Sequence, residues 1–339
     1  MAREGITTRA VRKRPRVIAA FVLLWPLALS SAAAESLKVV YPTIGATATP
    51  LWIGKELGLF KKNSLDVDLV FIEGSPRATA ALLSGSVDLI MGSGNATVQA
   101  VLAGAPLTLV CSLAGKIDYQ LMVPAEIKSG NQLKGRAIAS SQFGTSPDFA
   151  VRYAMRKLGL DSERDVTILQ MGDQATRLAA LTSGKVQAAI INAPATVLAR
   201  KRGFRALVDL AEEEVKFQQA GIVATKSFIK SRTDTLRSFL KALMESIHLF
   251  KTNKEKSLQV MALYTRTKDL EALEEGYQIF AHKMIDRKPY VRDEALRPIL
   301  DQAALKKPEA KETKPAQFYD NQFIEELDKS GFIDSLYRR

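Results

Sequence analysis

Short apolar runs alternate with segments of helical spacing from residue 37 onward. Leu37–Tyr41 predicts a strand. Pro50–Phe60 predicts a helix, with Thr49 as its N-cap and Pro50 at the first helical position, where a missing N–H costs no hydrogen bond. Val67–Ile72 predicts a strand and Arg77–Leu83 a helix that stops at Ser84-Gly85. Val87–Met91 and Leu107–Ser112 predict strands, separated by an Ala96–Ala103 helix that stops at Gly104. Such alternation implies βαβ units on a mostly parallel sheet.

The plan then recurs. Ala137–Ser140, Val166–Gln170 and Val186–Ile191 predict strands, with helices at Asp148–Leu158, Ala175–Leu181 and Pro194–Arg202. A shift of 99 places Gly45 on Gly144, Asp66-Val67 on Asp165-Val166 and Ala80-Ala81-Leu82 on Ala179-Ala180-Leu181. It also places Ser84-Gly85 on Ser183-Gly184 and Ala96-Thr97-Val98 on Ala195-Thr196-Val197. Two copies of a unit this size imply two similar lobes, not a solenoid. Past residue 205 the pattern becomes helical. Leu236, Phe239, Leu240, Leu243, Ile247 and Phe250 form the apolar stripe of one long helix. Further helices are expected at 270–284 and 293–304, an exposed loop at Lys306–Pro315, and an amphipathic end at Tyr319–Leu336.

The first 34 residues do not fit this pattern. Arg9, Arg12, Lys13, Arg14 and Arg16 precede an apolar run from Val17 to Leu29, and small residues at Ala32 and Ala34 bracket a cut before Glu35. These are the three regions of a secretory signal peptide at 1–34, cleaved after Ala34. The apolar run is short for a bilayer span, although a retained anchor is the alternative. An exported chain places the protein in the periplasm of a two-membrane bacterium.

The net charge of +12 would suggest a nucleic-acid partner. However, residues 1–34 hold six basic and one acidic residue, which leaves 42 basic against 35 acidic, or +7, on the remaining 305. No basic cluster interleaved with aromatics remains, so no nucleic-acid partner is expected. One cysteine excludes an internal disulfide framework and a cysteine-rich zinc site.

The candidate chemistry lies between strand and helix. Thr43, Gly45, Thr47 and Thr49 follow the first predicted strand; Ser75 follows the second; Ser93 and Asn95 follow the third. In the second copy, Gly144, Thr145, Ser146, Asp173 and Asn192 occupy the matching places. These are carboxyl ends of parallel strands, where open α/β sheets bind ligands. Short residues let backbone approach, and helix N-termini offer unpaired N–H groups to a small anion or polar heterocycle. The same residue types also serve as plain helix caps. Asp118, Arg77 and Arg177 could reach the cleft. His248, His282 and Cys111 sit in helical or apolar contexts, and no catalytic or metal-ligating constellation is present. Gly92-Ser93-Gly94 lacks the third glycine of a dinucleotide fingerprint, because Thr97 stands there.

Four segments carry a resemblance. They are Pro50-Leu51-Trp52-Ile53-Gly54-Lys55-Glu56-Leu57-Gly58-Leu59-Phe60, then Leu82-Leu83-Ser84-Gly85-Ser86-Val87-Asp88 with Gly92. They continue with Leu133-Lys134-Gly135-Arg136-Ala137-Ile138-Ala139, and Gly184-Lys185-Val186-Gln187-Ala188-Ala189 leading to Asn192-Ala193-Pro194. In this order they resemble the periplasmic substrate-binding proteins of ABC importers in the nitrate/sulfonate/taurine class, including the domain shared with thiamine-pyrimidine synthesis proteins. Gly54 stands where alanine is usual.

The resemblance implies a type II periplasmic-binding-protein fold of two α/β lobes, with ligand in the cleft between them. Lobe 1 would be 37–116 plus 221–339 and lobe 2 would be 122–214. The crossings would lie at 116–121 and 217–222, and the lobes would close on ligand by a hinge motion. The twelve loop residues named above would form the pocket. Function would be capture of a small polar or anionic organic molecule by a monomer, and its delivery to an ABC permease and its ATPase, with no cofactor and no catalysis. A ligand-sensing input module for a membrane partner is the alternative. A pyrimidine-synthesis enzyme on the same fold would need a cysteine-rich motif and an active histidine, which the lobe loops lack.

Overall fold

A computed structural model of the chain describes Met1, Ala2, Gly5, 34–213 and 215–338. The expected signal peptide, apart from Met1, Ala2, Gly5 and Ala34, lies outside the described residues. From Ala34 onward the chain forms one compact unit.

The apolar runs become strands. They are β1 Glu35–Tyr41, β2 Leu65–Phe71, β3 Leu89–Gly92, β4 Leu107–Lys116, β5 Gln120–Pro124, β6 Ala137–Ser140, β7 Thr167–Gln170, β8 Ala188–Ile191, β9 Phe204–Asp209 and β10 Lys216–Thr225. They build two sheets of one plan, ordered β2-β1-β3-β10-β4 and β7-β6-β8-β5-β9. Within each sheet the first three strands pair in parallel. The fourth strand runs antiparallel to both its neighbours. Each sheet is therefore mixed, with four strands pointing one way and one reversed. The reversed strand is the first to follow a passage from the other sheet, which is why local periodicity could not distinguish it from the rest.

The chain passes from β4 to β5 through Ile117–Tyr119, inside the expected 116–121 crossing. It returns through 210–215. The 217–222 segment lies within β10, because Lys216 already pairs with Lys116 on β4.

The first helix differs from its expected form. A 3-10 turn at Ala46–Ala48 leads into the helix Thr49–Glu56, so Thr49 lies inside the helix and Ala48 holds the N-cap position. The Thr49 hydroxyl is buried without a hydrogen-bond partner among the described residues. The helix ends at Leu57, and Gly58 at φ 70° starts a second short helix, Leu59–Lys62. The long helix Thr233–Thr252 buries all six residues of its predicted stripe. Phe239 stacks on Phe60 at 5.4 Å, joining this helix to the first sheet's helical layer. The expected 270–284 helix becomes the α-helix Leu270–Tyr277 followed by a π-helical stretch, Gln278–Met284. Lys306–Pro315 contains a 3-10 turn, Pro308–Glu312, that buries Ala310.

The two sheets share a core where the passages run. Phe149 behind β6 stacks on Phe217 of β10 at 4.2 Å, and both are buried. The carboxyl ends of β1, β2 and β3 thereby face those of β6, β7 and β8.

Candidate functional site

Loops from both sheets converge on one cavity between the lobes. Thr43 and Thr47 come from the turn after β1, Ser75 from the loop after β2, and Ser93 from the loop after β3. Thr145 and Ser146 come from the loop after β6, and Asp173 from the loop after β7. The cavity has a volume of about 60 Å³, room for a group of a few heavy atoms at ~10–15 Å³ per water-sized sphere.

Most of these polar groups serve twice. The Ser93 hydroxyl accepts from the Ala96 N–H at 3.1 Å, capping Gly94–Leu102. The Ser75 hydroxyl accepts from the Ser93 N–H at 3.1 Å. Thr145 caps Ser146–Lys157 and donates to the Gln142 carbonyl at 2.6 Å. Ser146 donates to the Gln219 carbonyl at 2.9 Å, and Asp173 caps Gln174–Thr182 through a 2.7 Å bond from the Thr176 N–H. The hydroxyls of Thr43 and Thr47 make no side-chain hydrogen bond among the described residues, and so remain available to a ligand.

The other five expected positions lie outside this cavity. Thr49 is in the lobe core. Gly45 begins the 3-10 turn and faces the Gln174 side chain. Asn95 and Gly144 line a separate opening with Gln99, Phe143 and Arg152, where the Asn95 amide reaches the Thr145 carbonyl at 3.5 Å. Asn192 is 3% exposed and donates to both carboxylate oxygens of Asp118 at 3.0 Å. Repeat position placed these residues at the right strand ends. Which of them turned inward depended on loop shape.

Glycine brings opposing loops together at two points. A Cβ on Gly74 would stand 2.3 Å from the Gln142 side chain, and one on Gly172 would stand 2.3 Å from that of Glu73. Both glycines have positive φ, so any other residue would meet strain as well as a clash.

Other lining groups carry much of the electrostatics. Arg177 lines the cavity at 3% exposure. It donates to the carbonyls of Asp173 and Ile190 and forms no ion pair among the described residues. Burial draws its pKa down to about 10, with Tyr119, Asp173 and Glu73 pulling the other way, so it stays charged at neutral pH. Arg77, which the 99-residue repeat had brought near it in register, is exposed at a different opening. Tyr119 of the first passage and Gln219 of β10 also line the cavity. Behind them, Asp118 is 3% exposed and accepts from the Gln219 amide at 2.7 Å. Burial pushes its pKa up to about 6, against the lowering effect of the Asn192 and Gln219 bonds. Tyr119 and Gln219 both fall in the crossings expected at 116–121 and 217–222, but no feature of the residues themselves singled out their side chains as cavity lining.

Elsewhere, catalytic chemistry is sparse. Cys111 is fully buried, and burial pushes its thiol up. His248 packs edge-on to Tyr337 and His282 edge-on to Tyr277, away from the cavity. No cluster of metal-ligating side chains occurs among the described residues. No helix among them is long and apolar enough to cross a membrane.

Three comparisons bear on this arrangement. The NMT1/THI5-like family model matches residues 46–257. YtlA of Bacillus subtilis (strain 168), whose name assigns it a binding role, is 25% identical over 214 residues, which are 62% of this chain. The chain spans 64% of that relative's length. Among solved structures, the periplasmic aliphatic sulphonate binding protein SsuA of Escherichia coli superposes with a TM-score of 0.66 at 21% identity, covering 83% of this chain and 94% of that one. The periplasmic nitrate-binding protein NrtA of Synechocystis PCC 6803 superposes with a TM-score of 0.74 at 12% identity, covering 88% of this chain and 89% of that one. These likenesses show the two-lobed fold.

Proposed function

The chain belongs to the NMT1/THI5-like family, and from that premise we propose that it is an exported solute-binding protein that closes its lobes on a small organic anion. The observation that carries this reading is Arg177, a guanidinium 3% exposed in the cavity wall with no ion-pair partner among the described residues. A buried charge is costly when no carboxylate pairs with it directly; Asp173 and Glu73 act on Arg177 only at a distance, and an anionic head group would supply a direct partner. The hydroxyls of Thr43 and Thr47 add donors, and three helices begin at cavity-lining residues, Ser93, Thr145 and Asp173, so that their positive dipole ends lie at the cavity.

In this reading lobe 1 is 37–116 with the chain after the second passage, lobe 2 is 122–214, and both move about the passages. Release of the anion to an ABC permease and its ATPase, and residence in the periplasm after cleavage behind Ala34, complete the function. The buried thiol of Cys111 and the placement of both histidines away from the cavity support binding without catalysis.

A thermal-shift screen of the ligand-free protein tests it, with sulfonates, nitrate, aromatic carboxylates, pyrimidines and flavins as ligands. An anion is expected to raise the midpoint by linkage, and Arg177→Met is expected to abolish that rise. No shift with any anion in folded, ligand-free protein would sink the reading.

A further inference from the structure

A second polar hollow, of about 300 Å³, lies against β4 and β10 and shares no lining residue with the cavity between the lobes. Gln219 lines the first and Gln218 the second, as neighbours on a strand that point to opposite faces.

Four cations line this hollow: Lys116, Lys216, Lys283 and Arg292. Two carboxylates stand with them, Asp286 and Glu294. Asp286 pairs with Arg292 at 3.7 Å. The three lysines form no ion pair among the described residues, so the lining keeps two positive charges in excess. Lys116 ends β4, Lys216 begins β10, and the two are direct partners in the antiparallel register. Like charges at opposed positions destabilise a strand pair. They sit where the chain leaves the first sheet for the second and where it returns.

The buried polar lining is also incomplete. Gln218 is fully buried and donates to the Ala220 carbonyl at 2.7 Å, but its amide oxygen has no hydrogen-bond partner among the described residues. The buried Ser112 lines the hollow beside it.

We propose that this hollow is an anion site for inorganic phosphate, separate from the cleft. A hydrogenphosphate dianion matches the two uncompensated charges, and its O–H suits an acceptor such as the Gln218 amide oxygen. Seated between Lys116 and Lys216, it replaces their repulsion with two charge-assisted contacts and ties the end of β4 to the start of β10.

Calorimetry tests this with inorganic phosphate at about pH 8, above its second ionisation, on wild type and on Arg177→Met, whose cleft lacks its cation. One phosphate is expected to bind each Arg177→Met molecule. Adding Lys116→Gln or Lys216→Gln is expected to lower that affinity at least about tenfold, and Lys116→Arg, which keeps the charge, to restore it. Without phosphate the glutamine variants should unfold at the same or a higher urea midpoint, and phosphate should raise the midpoint only in the parent. A merely structural lysine would instead lose stability and leave phosphate affinity unmoved. Phosphate binding that disappears with Arg177→Met, that survives intact in both glutamine variants, or that is absent from folded, anion-free protein overturns the site. Cosedimentation with phosphatidate vesicles, in a protein that does not bind free phosphate, would reassign the hollow to a lipid head group and overturn the free ion as its occupant.

Discussion

Replacing Arg177 by methionine should stabilise the ligand-free protein while destroying its site. Arg177 is 3% exposed, and burial lowers its pKa from the ordinary guanidinium range to about 10. At 1.36 kcal/mol per pKa unit, holding the charge at neutral pH costs the fold about 3 kcal/mol. Methionine removes that cost but leaves the Asp173 and Ile190 carbonyls without their donor, at about 1 kcal/mol each. The balance is a gain of about 1 kcal/mol, or about 2 °C in midpoint for a chain of this size. Equilibrium urea unfolding, followed by circular dichroism, reads it directly.

The pH dependence supplies the sign. The native state releases the Arg177 proton near pH 10, while the unfolded chain keeps it to a distinctly higher pH. The unfolded state thus binds more protons in that window, and wild-type stability rises with pH through 10 relative to the variant. The gap between the two should close as pH rises from 8 to 11. A variant less stable than wild type at pH 7, or a gap that is constant through pH 10, refutes the idea of a charge held without compensation.

Three further outcomes are expected. Asp118 keeps its proton to about pH 6 when folded against ~3.9 for an unperturbed aspartate, so the native state binds more protons between those values and stability falls as pH rises from 4 to 6. Asp118→Asn should flatten that segment of the urea-midpoint profile, and an unchanged slope counts against the assignment. Lys201 on Ala195–Lys201 pairs with Asp269 and Glu271 at 2.8 Å, and Arg200 on the same helix pairs with Glu275. These pairs bridge the lobes, so Lys201→Ala or high salt should raise the ligand-free radius of gyration in small-angle scattering; exposed pairs are worth at most ~1 kcal/mol, a few-fold change in population. Glu73 lines the cavity beside Arg177, so Glu73→Gln should tighten anion binding about two- to fivefold by removing a like charge, and weaker binding in calorimetry would show that the carboxylate serves the ligand.

Much of this protein follows from local sequence. Apolar runs of strand length between helical patterns set the βαβ units, and the 99-residue recurrence set two lobes of one plan. The stripe from Leu236 to Phe250 needed only helical periodicity, since six apolar residues on one face have to be covered. The strand-end loops were legible because parallel strands must be followed by helices, and short polar residues start helices.

What local pattern could not decide was which groups face which. Thr43 and Asn192 look alike as polar loop residues, yet one lines the cavity and the other is absorbed by Asp118. Arg177 and Arg77 occupy nearly equivalent places in the repeat. Only packing against Ile190 and the opposing lobe buries the first and leaves the second in solvent. The reversed strands β5 and β10 have the composition of their neighbours, and their direction comes from the route of the chain between sheets. Side-chain spacing records the face of an element. The desolvation of a charge, and the meeting of loops more than 70 residues apart, are properties of the assembled lobes.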